Sequence, residues 1–167
     1  MAFLDRLTKL LAAICMIGVG VSFATLIVVV LIQVVGRTIG SSPVWTEELT
    51  RFALLYLAAF GVGLSLRSGD LVNVDVICEN LPAPFPWVLR LLSAALTGTL
   101  ALILIPYSWK FTSIGKMQTS PALGLRMDMV HFTVTLLLVL LCVFAFLRVV
   151  QMLFAGDDGI PLKQKEG

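Results

Sequence analysis

The chain has 167 residues, 59% of them hydrophobic and 13% charged, with a formal net charge of +2. A soluble domain of this size needs a polar skin, with charged content near about 25%, so the apolar excess here has to face lipid. The charge is too small and too scattered to suggest nucleic acid, and no nucleic-acid partner is expected.

Charges mark the element boundaries. No charged residue occurs from Leu10 to Gly36, from Phe52 to Leu66, from Leu91 to Trp109 or from Met129 to Leu147, gaps of 27, 15, 19 and 19 residues. A spanning helix needs about 20 residues at about 1.5 Å each. The first, third and fourth gaps suffice alone, and the second does when its helix starts near Thr46. The sequence therefore predicts an all-α integral membrane protein with four transmembrane helices, at about 10–36, 46–66, 87–109 and 128–153, in a single membrane domain over 1–167.

Arg6 and Lys9 precede the first run as they would in a secretory signal. The run is much longer than the usual apolar stretch of about 7–15 residues, and no small-residue cleavage site follows, so it reads as a retained span. Between spans two and three lies SGDLVNVDVICENLPAPFPW, residues 68–87. Leu71, Val74, Ile77 and Leu81 recur at helical spacing with Asp70, Asn73, Asp75 and Asn80 between them, until Pro82, Pro84 and Pro86 intervene. That pattern predicts a short interfacial amphipathic helix at about 71–81, although Val72, Val74 and Val76 also alternate as a strand would. Trp45, Trp87, Tyr107 and Trp109 fall near span ends, where amphipathic rings anchor, and Pro106 is expected to kink or terminate the third helix.

Four spans put both termini on one side. The tails and the 67–90 loop carry seven basic residues (Arg6, Lys9, Arg67, Arg90, Arg148, Lys163, Lys165) against five on the other side (Arg37, Arg51, Lys110, Lys116, Arg126). The positive-inside rule then favours cytoplasmic termini.

The middle of every span lacks an ionisable residue, the usual sign of an ion path or substrate counter-ion. Ser22, Thr25, Thr97, Thr99, Thr133 and Thr135 are isolated hydroxyls, suited to bonding back to a helix carbonyl or to packing. Gly18, Gly20, Gly61 and Gly63 suit close helix packing, with Gly20/Ala24 and Ala59/Gly63 at small-xxx-small spacing. Cys15, Cys78 and Cys142 form no CxxC pair, and the one histidine, His131, cannot hold a metal or haem alone. No phosphate loop, nucleophile elbow or HExxH occurs, and the loops are too short for a soluble catalytic domain. A chain so equipped is expected to be a non-enzymatic subunit serving another protein.

Charge does gather in VWTEELTRF, residues 44–52. Thr46 is expected to cap the second span, with Glu47 and Glu48 on its first turn complementing the helix dipole. Arg51 follows them by four and three residues and can pair with either. Two acids against one base leave a carboxylate over, for Arg37 at the end of span one or for a basic residue on a partner.

The string from Arg37 to Asp75 resembles the small membrane subunit, the Q-type or DctQ-type, of tripartite ATP-independent periplasmic (TRAP) transporters. The matching elements are an arginine ending span one, W-x-E-E-L-x-R-F opening span two, a glycine-containing helix ending in L-R-S-G, then V-D-V-I and a proline-rich turn; PALGLRMD, 121–128, is similar to the family's approach to its last helix. The family often has a histidine and a basic residue just before V-D, where this chain has Leu71 and Asn73, so a role for those residues does not carry over. Arg67, Asp70 and Asp75 are left to keep part of it. The short polar tail after Phe154 resembles the separate rather than the fused small subunit.

The resemblance implies a non-catalytic, multi-pass subunit of the bacterial inner membrane, bracing a large membrane subunit that holds the solute and sodium sites. A periplasmic solute-binding protein would deliver an organic acid, typically a carboxylate, to the assembled importer. No cofactor is expected in this chain, sodium belonging to the large partner. Contacts with partner or lipid headgroups are expected at Arg37, Glu47, Glu48, Arg51, Arg67, Asp70 and Asp75. Two other classes compete: a small four-helix thiol oxidoreductase, which needs reactive cysteines, and a stand-alone small exporter, which needs a glutamate within the membrane.

Overall fold

The computed structural model describes residues 2–41, 43–68 and 85–154. Their elements are α1 (Ala2–Thr38), α2 (Trp45–Ser68), α3 (Phe85–Ile114) with a 3-10 turn at Gly115–Met117, and α4 (Asp128–Phe154). All four helices are long and apolar enough to cross a bilayer. The charges that bound the apolar runs sit on the end turns of these helices rather than outside them, because a helix continues through the headgroup layer at no cost to its backbone hydrogen bonds. Thus α1, at 37 residues, is about 55 Å long against a hydrocarbon core of about 30 Å.

Helix ends follow local chemistry. After Thr38, Gly40 adopts φ +78, the Ser41 N–H reaches the Gly36 carbonyl at 2.9 Å, and the Gly40 N–H reaches Arg37 at 3.2 Å. This Schellman arrangement satisfies the last carbonyls of α1, with Arg37 complementing the negative end of the dipole. Thr46 does not cap α2 as expected. Its hydroxyl donates to the Pro43 carbonyl at 2.7 Å, its side chain is fully buried, and the helix has already begun at Trp45. Nor does Pro106 terminate α3, which runs on to Ile114. In a low-dielectric setting leaving the helix would strand many carbonyls, whereas Pro106 removes one N–H.

Packing runs in the order α1–α2–α4–α3, with a minor contact between α1 and α4 and none between α2 and α3. The core lies where α1, α2 and α4 meet and comprises Cys15, Leu66, Leu140, Phe144 and Ala145. Cys15 is a wholly buried free thiol there, acting as a small hydrophobe, and Cys142 is also free. Glycine permits the close approaches. A Cβ on Gly18 would sit 2.6 Å from the Phe60 ring, and one on Gly63 would sit 2.8 Å from the Phe144 ring. Gly20 and Gly61 instead face open space, so the expected Gly20/Ala24 contact is not made within the chain. Hydroxyls are spent locally, Thr25, Thr99 and Thr133 on carbonyls of Val21, Ala95 and Val130, while Thr135 meets Thr112 between α3 and α4 at 2.9 Å. At the other end of the bundle, Gln151 donates to Thr8 at 3.3 Å and links α4 to α1.

The interfacial helix expected at 71–81 lies outside the described residues, as do Asp70, Asp75 and Cys78.

Candidate functional site

The charged cluster stands at the end of the bundle shared by the α1–α2 and α3–α4 connections. Glu47 and Glu48 occupy the first turn of α2. Successive helix residues point about 100° apart, so the two carboxylates serve different neighbours. Glu47 turns toward α1, where its Oε1 lies 3.3 Å from Arg37 Nη2, an ion pair with both side chains more than half exposed. Glu48 turns toward the connection between α3 and α4.

That connection is a miniature hairpin. Gln118 accepts the Met127 N–H at 3.0 Å, Thr119 and Arg126 pair as an antiparallel bridge, and the Ser120 N–H donates to Leu125 at 2.8 Å. Gly124 closes the tip at φ +64, a conformation strained for any residue with a Cβ. The tip directs the N–H groups of Ala122 and Leu123 into one concavity, an arrangement that binds anions. Glu48 Oε2 fills it, accepting both at 3.3 Å together with the hydroxyl of the buried Ser120. The Ser120 hydroxyl in turn accepts the Leu123 N–H at 3.2 Å. On the far side, Arg126 Nη2 pairs with Asp128 Oδ2 at 2.7 Å, and Asp128 Oδ1 caps α4 through the Met129 N–H at 3.0 Å.

Neither acid is left over within the chain. Arg51 is exposed and makes no ion pair among the described residues, contrary to the pairing its spacing allows, because Glu47 is held by Arg37 and Glu48 by the loop. Arg67 lies at the end of α2 remote from this cluster. What sequence reasoning missed is Ser120 with its hairpin. The only signal was Ser-Pro followed by a glycine at 120–124, which marks a turn without naming its partner. It also missed Gly115, where a Cβ would lie 2.6 Å from His131 Nδ1. The imidazole stacks on Phe111 at 4.1 Å, and its buried Nδ1 has no hydrogen-bond partner among the described residues. Among those residues no three of His, Cys, Asp or Glu come together to hold a metal.

Four apolar helices, with their charges kept toward the ends and both rim glutamates engaged there, define a multi-pass membrane protein with an anchoring rather than a reacting polar cluster. The chain belongs to the family described as tripartite ATP-independent periplasmic transporters, DctQ component, whose model matches residues 26–155. It is 32% identical over 114 residues to the C4-dicarboxylate TRAP transporter small permease protein DctQ of Rhodobacter capsulatus, covering 66% of this chain and 49% of that protein. It is 30% identical over 90 residues to the isethionate TRAP transporter permease protein DctMQ of Oleidesulfovibrio alaskensis, covering 51% of this chain and 14% of that protein. The family makes the chain a transporter component of the bacterial inner membrane and not an enzyme. The two carboxylate contacts join W-x-E-E-L-x-R-F to the arginine of span one and to the approach to the last helix, three of the stretches that carry the family resemblance.

Proposed function

We propose that the chain is the small subunit that braces the large membrane subunit of a sodium-coupled TRAP importer. The observation that carries this reading is the apolar surface left over by the packing order. As the outer helices, α1 and α3 leave rows such as Ile14, Ile17, Val21 and Val28, or Leu96, Leu100 and Ile103, uncovered by the chain itself. With no charge in the middle of any span, the solute and sodium sites belong in the large subunit, and a periplasmic solute-binding protein supplies the cargo. The relatives' names speak of C4-dicarboxylate and isethionate, both small organic anions, so the solute is of that class, a carboxylate first. Both termini are cytoplasmic on the charge count, which puts the Glu48 cluster on the periplasmic side.

The test is extraction of the tagged chain from its native membrane in mild detergent, followed by mass spectrometry. A much larger polytopic protein in near-stoichiometric amount is expected; purification alone or with itself overturns the proposal. Loss of labelled organic-acid uptake on collapsing the sodium gradient tests the coupling. Labelling of a Ser41→Cys variant by an impermeant maleimide from the periplasm tests the orientation.

A further inference from the structure

Because α2 and α3 both pack on α4 but not on each other, a cleft opens between them along one side of α4. Near the end where the hairpin crosses from α3 to Glu48 on α2, it contains a cavity of about 340 Å³. Tyr56 supplies the α2 wall, Trp109, Ser113 and Lys116 the α3 side, and Asp128 and Phe132 the α4 side. Polarity is sorted by depth. Lys116 and Asp128 sit where the helices end, while Trp109 lies about two turns down α3 and Phe132 about one turn down α4. The Tyr56 hydroxyl is already spent on the Met129 carbonyl, at 2.8 Å, so its ring presents an apolar wall.

The charges are not balanced. Asp128 is neutralised by Arg126 and engaged by the Met129 N–H. Lys116 makes no ion pair among the described residues, and the Trp109 indole N–H donates to no group among them. The cavity thus offers one uncompensated cation above an aromatic slot whose Trp109 wall carries one unspent donor. Its volume falls at the lower end of small-ligand sites, about 300–1,000 Å³.

We propose that this cavity binds a phospholipid, with the phosphodiester on Lys116 and one acyl chain lying in the slot between Trp109 and Phe132 against the Tyr56 ring. A cation at a span end attracts an anionic headgroup, and about two turns deeper the Trp109 ring lies at the depth of the upper acyl chain.

The full chain, with whatever partner it retains in mild detergent, is stripped of lipid by detergent exchange, titrated with dioleoylphosphatidylglycerol and followed by native mass spectrometry. One lipid is expected to bind more tightly than the rest. Lys116→Gln weakens that site about fivefold, the loss expected for one surface cation. Ser113→Phe, a change at an exposed wall position whose hydroxyl only bonds back to Lys110, fills the slot and removes the tight site. Lys110→Gln leaves it unchanged, because that ammonium lies over the Tyr107 ring, 5.9 Å from its centroid and outside the cavity. Wild-type protein with no tight lipid, or equal affinity in all three variants, overturns the proposal. So does a photo-crosslinker at position 113 that captures polypeptide instead of lipid in native membranes.

Discussion

Glu48, on the first turn of α2, accepts the hydroxyl of Ser120, 72 residues further along the chain. The same carboxylate oxygen takes the N–H groups of Ala122 and Leu123, so a helix start and a loop tip complete each other. The glutamate complements the positive end of its helix and fills an anion-binding turn at once. This contact fixes how the α3–α4 pair sits against α2 at a level where α2 and α3 do not touch.

Glu48→Ala is expected to destabilise the chain by about 1–3 kcal/mol, since it strands the hydroxyl of buried Ser120 and the Ala122 N–H, while the Leu123 N–H keeps the Ser120 oxygen. Glu48→Gln keeps an acceptor oxygen and loses less. Thermal unfolding in detergent gives the size of the effect, and hydrogen exchange at 120–127 gives its place. An alanine variant that melts and exchanges like wild type would show that the contact holds nothing.

The Arg37–Glu47 pair should behave differently. With side chains 65% and 51% exposed, its coupling in a double-mutant cycle is expected below about 1 kcal/mol. A larger role for Glu47 would have to come from a partner. Glu47→Gln that lowers co-purification of the large subunit without lowering the melting temperature would place the contact between subunits.

Glycine substitutions should divide by what their Cβ meets. Gly18→Ala and Gly63→Ala drive a methyl into the Phe60 and Phe144 rings and should each cost about 1–3 kcal/mol. Gly20→Ala, with nothing within 4 Å, should be neutral or stabilising by up to about 1 kcal/mol through helix propensity. Comparing melting temperatures of the three purified variants checks the ranking. Loss of partner binding by Gly20→Ala alone would put that open face in the subunit interface.

Between α3 and α4 the Thr112 hydroxyl donates to the Ser108 carbonyl, leaving Thr135 as donor in the contact between the two. Thr112→Val therefore leaves a buried donor without its acceptor, whereas Thr135→Val leaves Thr112 satisfied by Ser108. The first should cost more, with each near about 0.6 kcal/mol and neither above about 1.7 kcal/mol, the average and the maximum of such bonds between membrane helices. A reversed order in thermal unfolding would mean that the donor assignment is inverted.

How much of this was legible in the sequence follows from what each feature depends on. The number of helices, their approximate places and the absence of chemistry in their middles could be read from the charge-free runs, because lipid tolerates no unpaired backbone and few charges. The two glutamates on the first turn of α2 were legible from the local sequence, and so was Arg37, at the end of span one, as a partner for one of them. The fate of Thr46 and Pro106 was not, since the Pro43 carbonyl and the environment beyond the proline outweigh position preferences. Nor could spacing reveal that Glu48 belongs to Ser120, that Arg51 makes no ion pair among the described residues, or that α4 stands between α2 and α3. Composition and periodicity are properties of a stretch of chain and determine what can enter the membrane. Which helix faces which, and where each charge finds its partner, depends on shape matching between distant segments, such as Gly18 under Phe60 and Gly63 under Phe144, and only the assembled bundle decides that.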